Sequence, residues 1–221
     1  MGIAESSQEA HRLDLAEPYL IRQDWRAYTA DEHAIWAELV SRRLPQLRRN
    51  ACAEYLEGLE LIGLSEDKLP ELDAISERLQ QKTGWRSTAV SGFLPPDAFF
   101  EMLAARRFPT TTWLRSRDSL EYTPQPDIFH DVFGHVPMHA HPVFGDFLQQ
   151  YGEICAGCLH NPIALERMGR VFWFTVEFGV IRQHGELEGR FHSARVYCAS
   201  AAACSGAVTP GGNSMMRTLR K

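Results

Sequence analysis

Four of the nine histidines in this 221-residue chain lie between Pro126 and Pro142. They are His130, His135, His139 and His141. Imidazole binds divalent transition metals well, so this local enrichment predicts a metal site. His130 and His135 are five residues apart, and that spacing is about 140° of rotation on an ideal α-helix. Both can reach one ion only if the helix ends or bends between them, and we expect Gly134 and Pro137 to supply that break.

The third protein ligand is predicted to be Glu177, the only charged residue of the apolar run from Val171 to Ile181. An ionised carboxylate in such surroundings is costly unless it is paired or bound to metal. A salt bridge to Arg170 or Arg182 is the alternative. Two imidazoles and one carboxylate leave positions open for dioxygen and substrate, as in non-heme iron(II) oxygenases. A zinc hydrolase with the same ligands is a second possibility, although no general base is evident between the histidines.

The elements that must position these residues are predicted to be mainly helices, because apolar residues recur at helical spacing between glycine and proline breaks. The predicted helices cover residues 31–44, 51–62, 71–83, 97–108, 127–134 and 143–152. Pro45 and Pro109 are expected to end two of them. Short strands are expected over 85–90 and 110–114. The apolar run 171–181 fits a buried strand or a buried helix, and its length of eleven residues favours the helix.

Length and composition, 221 residues of which 44% are apolar, favour one globular domain. The formal net charge of −5 gives no electrostatic footprint for nucleic acid or an anionic membrane, so neither is an expected partner. With neither a signal peptide nor an apolar run long enough to span a bilayer, we expect a cytoplasmic protein. The odd number of cysteines, five, favours reduced thiols. We interpret Cys155 and Cys158 as packed or partly exposed thiols rather than a redox pair.

Two blocks of sequence resemble the pterin-dependent aromatic amino acid hydroxylases, most of all their bacterial phenylalanine-hydroxylating members. They are PDIFHDVFGHVP, residues 126–137, and FWFTVEFG, residues 172–179. The similarity runs from about residue 31 to residue 185. It implies a mainly α, single-domain helical basket with a small amount of β-sheet, which holds iron(II) through His130, His135 and Glu177. It also implies that tetrahydrobiopterin, or a related tetrahydropterin, and dioxygen are used to hydroxylate L-phenylalanine to L-tyrosine, with tryptophan and tyrosine as alternative substrates.

The same resemblance implies roles for residues around the iron and the substrate. Asp131 is implied as the catalytic acid near iron and pterin, where it orients water or a neighbouring ligand. Arg115 is implied to grip the substrate carboxylate, since a guanidinium binds a planar carboxylate in bidentate fashion. Its alternative is a solvated surface charge. Tyr122 and Thr123 are implied to continue the amino-acid site, and Trp173 to line the pocket of the substrate ring.

The pterin site is implied to include Gly92, Leu94 and Phe99, with Phe99 placed to stack on the flat ring. Core packing on its own helix is the alternative for Phe99. His139 and His141 are expected to be surface histidines that do not bind the metal.

The last part of the chain departs from the family pattern after Gly185. We therefore divide the chain into a loosely ordered arm, residues 1–28, a catalytic domain, residues 29–185, and a divergent, poorly ordered or truncated segment, residues 186–221. A monomer is expected. A relative that binds ligands without turnover remains an alternative to an active enzyme.

Overall fold

A computed structural model describes residues 13–177, together with the backbone of Val180–Ile181 and Arg195–Val196. The α-helices in these residues are α1 (Ala30–Asn50), α2 (Ala53–Ile62), α3 (Leu72–Thr83), α4 (Pro96–Ala104), α5 (Pro142–Ala156) and α6 (Pro162–Phe172). The strands are β1 (Arg86–Val90), β2 (Arg107–Thr111), β3 (Val180–Ile181) and β4 (Arg195–Val196). Short 3-10 helices cover Glu17–Tyr19, Trp25–Ala27, Arg117–Ser119 and Val136–Ala140, and π-helices cover Phe129–His135 and Trp173–Glu177. The prediction of a mainly helical fold with a small amount of sheet is confirmed.

Helix α1 begins at a capping box, in which Thr29 and Glu32 each bond the backbone N–H of the other. The prediction that this helix ends at Pro45 is wrong, because α1 continues to Asn50. Leu44 and Leu47 are both buried on its inner face. Their burial outweighs the one backbone hydrogen bond that a proline removes.

Strands β1 and β2 pair in parallel, from Arg86 opposite Arg107 to Val90 opposite Thr111, with α4 as the crossover between them. The predicted helix over 97–108 is therefore wrong in its last part, since α4 ends at Ala104 and the chain turns at Arg106, which has a positive φ of 54°. The second strand begins earlier than predicted. Residues 107 and 108, which were assigned to the helix, pair with β1 and so belong to the strand.

The run 171–181 is only partly the buried helix that was expected. It is helical up to Glu177 and ends in β3, which pairs antiparallel with β4. Phe172 and Val176 face the core, whereas Val171 and Phe174 are 47% and 57% exposed. A helix with one buried face explains both observations.

Helix α2 packs closely against the segment that follows the two candidate metal-binding histidines. A Cβ atom on Gly58 would lie 1.9 Å from the carbonyl oxygen of Pro137, so this approach requires a glycine. On the same helix the buried Tyr55 hydroxyl donates to the carbonyl oxygen of Phe133 at 2.6 Å. Helix α2 therefore supports the histidine-bearing segment from behind.

Residues 13–28, the described part of the predicted arm, pack on the β1–α4 unit. The backbone N–H groups of Leu15 and Ala16 donate to the carboxylate of Glu101 at 2.9 and 2.8 Å. Ile21 donates its N–H to β1 at 3.1 Å. These hydrogen bonds attach the described part of the arm to the fold; the first twelve residues lie outside the described chain, and the loosely ordered arm stays a prediction.

Within the portion of the chain that the structure covers, none of the helices is both long and apolar enough to cross a bilayer.

Candidate metal centre

The segment Phe129–His135 is a π-helix, and this geometry brings the two histidines together. Hydrogen bonds in a π-helix join residues five apart, so His130 and His135 lie on one side of it. Their ring centroids are 4.9 Å apart. The prediction that the helix ends or bends between them is wrong: Gly134 lies inside the π-helix, and Pro137 follows in a 3-10 helix. The wider turn of the π-helix, rather than a break in the helix, places both imidazoles where they can reach one ion.

Glu177 lies at the end of the second π-helix and faces both imidazoles. Its Oε1 is 3.2 Å from Nε2 of His135, and its Oε2 is 3.7 Å from Nε2 of His130. One ligand atom from each of the three side chains can be chosen such that all lie within 4.8 Å of one another. The predicted triad therefore converges on one point. Arg170, the alternative partner of Glu177, bonds Glu166 instead, and Arg182 lies outside the described residues.

The charges at this point suit a divalent cation. Nε2 of His135 is buried and has no hydrogen-bond partner among the described residues, despite its closeness to Glu177. Burial by itself raises the pKa of Glu177, but the charge of His135 and the contacts with both imidazoles outweigh it and hold the pKa well below its usual value. The carboxylate is therefore ionised at neutral pH. A buried carboxylate beside an unbonded imidazole nitrogen fits a metal ion between them.

Asp131 orients the first histidine. Its Oδ1 lies 3.0 Å from Nδ1 of His130, while its Oδ2 accepts from the backbone N–H and the hydroxyl of Thr111 at 2.7 and 2.8 Å. Since an ionised carboxylate only accepts, Nδ1 of His130 carries the hydrogen and its Nε2 keeps a lone pair for a metal. Thr111, at the end of β2, thus links the sheet to the candidate metal centre. We had not predicted a role for Thr111.

Asp127 is a residue of this candidate site that sequence reasoning missed. Its buried carboxylate accepts from the N, Nε and Nη2 of Arg115 at 3.0, 2.8 and 2.7 Å, and from the backbone N–H of His130 at 3.0 Å. It therefore connects the predicted substrate arginine to a predicted metal ligand. Aspartate just before a helix commonly caps it by accepting from a backbone N–H a few residues later, as Asp127 does from His130, and this signal could have singled it out.

Arg115 is not the solvated charge that was its alternative, because its side chain is 0% exposed. Its guanidinium also lies 5.5 Å from the centroid of the Phe129 ring. Of the other predicted substrate residues, Thr123 is buried and donates its hydroxyl to the Gln125 carbonyl oxygen at 3.0 Å. Tyr122 is 57% exposed.

Trp173 is partly buried and lies in the same π-helix as Glu177. Its place in the π-helix that carries the proposed ligand Glu177 is consistent with the predicted lining of a ring pocket, which stays a prediction.

The residues predicted for the pterin site lie on the β1–α4 connection and on α4. Leu94 is buried and Phe99 is partly buried in a small second core beneath the arm. The ring of Phe99 also packs edge-on against Phe172, at 5.3 Å between centroids, just before the π-helix that carries Glu177. Core packing, the alternative for Phe99, is therefore observed. Gly92 lies in the loop after β1.

The expectation that His139 is a surface histidine is wrong. It is 1% exposed, because the 3-10 helix turns it into the core beside Trp85. His141 is partly exposed. The two thiols of the CxxC pair are free: Cys155 is buried and Cys158 is partly exposed, as interpreted from the sequence.

The helical fold and the convergence of two imidazoles and a carboxylate define the class, a candidate metal protein of the two-histidine, one-carboxylate kind. The sequence model of the biopterin-dependent aromatic amino acid hydroxylases matches residues 20–203. The chain belongs to this family. The match extends beyond residues 31–185, the range in which we recognised similarity.

Two kinds of relatives agree with this assignment. The phenylalanine-4-hydroxylase of Chromobacterium violaceum is 43% identical over 167 residues, which are 75% of this chain and 56% of that protein. A crystal structure of phenylalanine hydroxylase from the same organism, with bound iron(III) and oxidised cofactor 7,8-dihydrobiopterin, matches with a TM-score of 0.77 at 40% identity, over 86% of this chain and 66% of that one. Another, with iron and phenylalanine bound, matches with a TM-score of 0.75 at 39% identity, over 85% and 65% of the two chains. The chain spans a little over half the length of the curated relative.

Proposed function

We propose that this chain carries an iron(II)- and tetrahydropterin-dependent monooxygenase activity that converts L-phenylalanine to L-tyrosine with dioxygen. The observation that carries the proposal is the convergence of His130, His135 and Glu177 in a member of this family. The similar bacterial enzyme binds iron and dihydrobiopterin in one structure and iron and phenylalanine in another.

The three side chains would hold the iron, with Nε2 of each imidazole and the Glu177 carboxylate as ligands. Bound iron(II), with the tetrahydropterin as electron donor, supplies the activation of dioxygen for ring hydroxylation. Asp131 holds the proton on Nδ1 of His130, so this imidazole presents a lone pair and a fixed ring orientation. A rigid ligand set on one side keeps the opposite side open for the reactants.

We propose that Asp127 positions Arg115 for the substrate carboxylate. The bidentate pair fixes the plane of the guanidinium, and the same aspartate anchors the backbone of His130. Amino acid and metal would then be placed by one shared group, which limits their relative movement. The roles of Arg115, Tyr122 and Thr123 toward phenylalanine, and of Gly92, Leu94 and Phe99 toward pterin, stay predictions.

Product analysis tests the proposed function. Purified protein receives iron(II), tetrahydrobiopterin and L-phenylalanine under air, and tyrosine is measured by mass spectrometry. Glu177→Gln should abolish both iron retention and product while the fold survives, because the amide is nearly isosteric but lacks the charge. Glu166→Gln is the matched control: this acid lies on α6 in an exposed ion pair with Arg170, so iron content and product should not change.

Other outcomes would contradict the proposal in distinct ways. Tyrosine absent from a protein that retains stoichiometric iron would indicate a binding protein without turnover. Tightly held zinc with no iron-dependent activity would favour a hydrolase. Faster conversion of tryptophan or tyrosine in a competition of the three amino acids would keep the chemistry and change the substrate.

We also retain, as predictions from the sequence, a monomer in the cytoplasm that binds small molecules and neither nucleic acid nor membranes. The division into an arm, a catalytic domain over 29–185 and a divergent segment over 186–221 is likewise a prediction. Apart from the backbone of β4, that last segment lies outside the described residues.

A further inference from the structure

His139 is a buried imidazole to which the proposed function assigns no task. It lies on the 3-10 helix Val136–Ala140, four residues after the proposed metal ligand His135. Burial lowers the pKa of the His139 imidazole to about 3, so its ring is neutral at physiological pH. Its ring packs between Trp85 and Phe108, at centroid distances of 4.5 and 4.8 Å.

Among the described residues, the stronger hydrogen bond of the His139 imidazole is with the proposed metal ligand His135, and a weaker one is with the backbone of Val136. Nδ1 lies 3.1 Å from the backbone carbonyl oxygen of His135. A carbonyl oxygen only accepts, so Nδ1 carries the hydrogen and donates it. Nε2 of His139 and Nε1 of the neighbouring Trp85 have no hydrogen-bond partners among the described residues.

This arrangement costs folding stability. A buried polar atom without a partner is unfavourable, whereas an apolar side chain of similar shape avoids that cost. A phenylalanine at position 139 would fill the same space without a nitrogen to desolvate. A phenylalanine could not make the polar contacts of the histidine, of which the hydrogen bond to His135 is the stronger.

A second contact reaches the ring of the same ligand. Phe108 lies between the two imidazoles, with its centroid 4.8 Å from His139 and 5.2 Å from His135. The main chain of His135 is therefore held by the hydrogen bond, and its ring packs against the tilted ring of Phe108. Both restraints act where the π-helix passes into the 3-10 helix, and there the regular backbone hydrogen-bond pattern changes.

We propose that His139 is a positioning residue that fixes the backbone and ring of His135, so that Nε2 of His135 meets the metal without reorganisation. The inference rests on the proposed metal centre. Residues that orient a metal ligand change metal affinity by about 10–100-fold when they are removed. The loss of folding stability caused by the buried His139 would then be tolerated because a fixed His135 binds the metal more tightly. Such a trade of stability for function is common at functional sites.

Two substitutions separate the hydrogen bond from the packing. His139→Phe keeps a ring against Phe108 and Trp85 but cannot donate to His135. His139→Asn keeps a donor close to the position of Nδ1 but loses most of the ring. His141→Asn is the control, since this neighbouring histidine is only partly buried and has no contact with the triad in the described chain.

The measurements are cobalt(II) affinity, followed by the visible spectrum of the bound ion, and the melting temperature of the metal-free protein. His139→Phe should melt at or above the wild-type temperature and bind cobalt(II) about 10-fold more weakly or worse. His139→Asn should melt earlier yet stay within about 3-fold of wild-type affinity, well inside the loss expected on removing an orienting group. The control should match wild type in both.

Wild-type cobalt(II) affinity in His139→Phe would overturn the proposal, since His139 would then be ordinary core packing. So would a loss of affinity in His139→Asn as large as in His139→Phe. If His139→Phe fails to fold, the affinity of the asparagine variant decides alone. His135→Ala keeps the two proposals apart, because unchanged cobalt(II) binding in that variant would reject the metal centre itself.

Discussion

The buried pair of Asp127 and Arg115 makes the sharpest prediction about stability. Both side chains are 0% exposed, and the carboxylate accepts four hydrogen bonds, three from Arg115 and one from the backbone of His130. Asp127→Asn keeps the shape but turns one acceptor oxygen into a donor that faces other donors. It also removes the carboxylate charge that faces the buried Arg115 guanidinium.

The expected cost follows from that burial. Removing one partner of a buried ion pair destabilises a protein by about 3–5 kcal/mol, a large part of a total of about 5–15 kcal/mol. For a chain of this size each kcal/mol lowers the melting temperature by about 2–4 °C, so the loss should be roughly 6–20 °C. Iron retention should fall as well, because the backbone of His130 loses its anchor.

Thermal and urea denaturation of the metal-free protein give the measurement. Asp31→Asn is the matched control, since Asp31 also bonds an arginine, Arg117, but the two side chains are 69% and 50% exposed. That pair should contribute less than about 1 kcal/mol. Equal losses in the two variants would refute the reasoning that burial sets the strength of the Asp127 pair. Replacing both Arg115 and Asp127 by apolar residues should recover much of the stability and none of the activity.

Three further predictions concern single groups. Asp131→Asn should weaken iron(II) binding by about 10–100-fold, measured by metal titration, with wild-type affinity as the contrary result. Tyr55→Phe should cost about 1–3 kcal/mol in urea denaturation, because the carbonyl oxygen behind the π-helix loses its buried donor; a loss below about 0.5 kcal/mol would contradict this. Burial, and then Cys158, raise the pKa of the Cys155 thiol to about 12, so this thiol stays protonated up to pH 9. Iodoacetamide at pH 7–9 should therefore label Cys158 in the native protein and reach Cys155 only in urea, and equal labelling of the native thiols would reject the assignment.

Features that depend on neighbours in sequence could be predicted from the sequence. Helices α2 and α3 end at Gly63 and Gly84 because both glycines adopt left-handed conformations, with φ of 62° and 79°, that other residues avoid. The candidate metal ligands could also be named, because histidines in one segment and a lone acid in an apolar run are costly unless they bind something. The pterin was named by resemblance alone.

The tertiary structure decided what depends on surfaces that meet from distant parts of the chain. Whether the residues before Pro109 form a helix or a strand depends on β1, and whether His139 is exposed depends on Trp85 and Phe108. The sequence around Asp127 indicates only the start of a helix. Its hydrogen bonds with Arg115, twelve residues earlier, are visible only in the tertiary structure. A local sequence pattern shows which conformations a segment can adopt. Side-chain burial and strand pairing determine which of these conformations forms, because their favourable free energies arise only when distant segments of the chain are in contact.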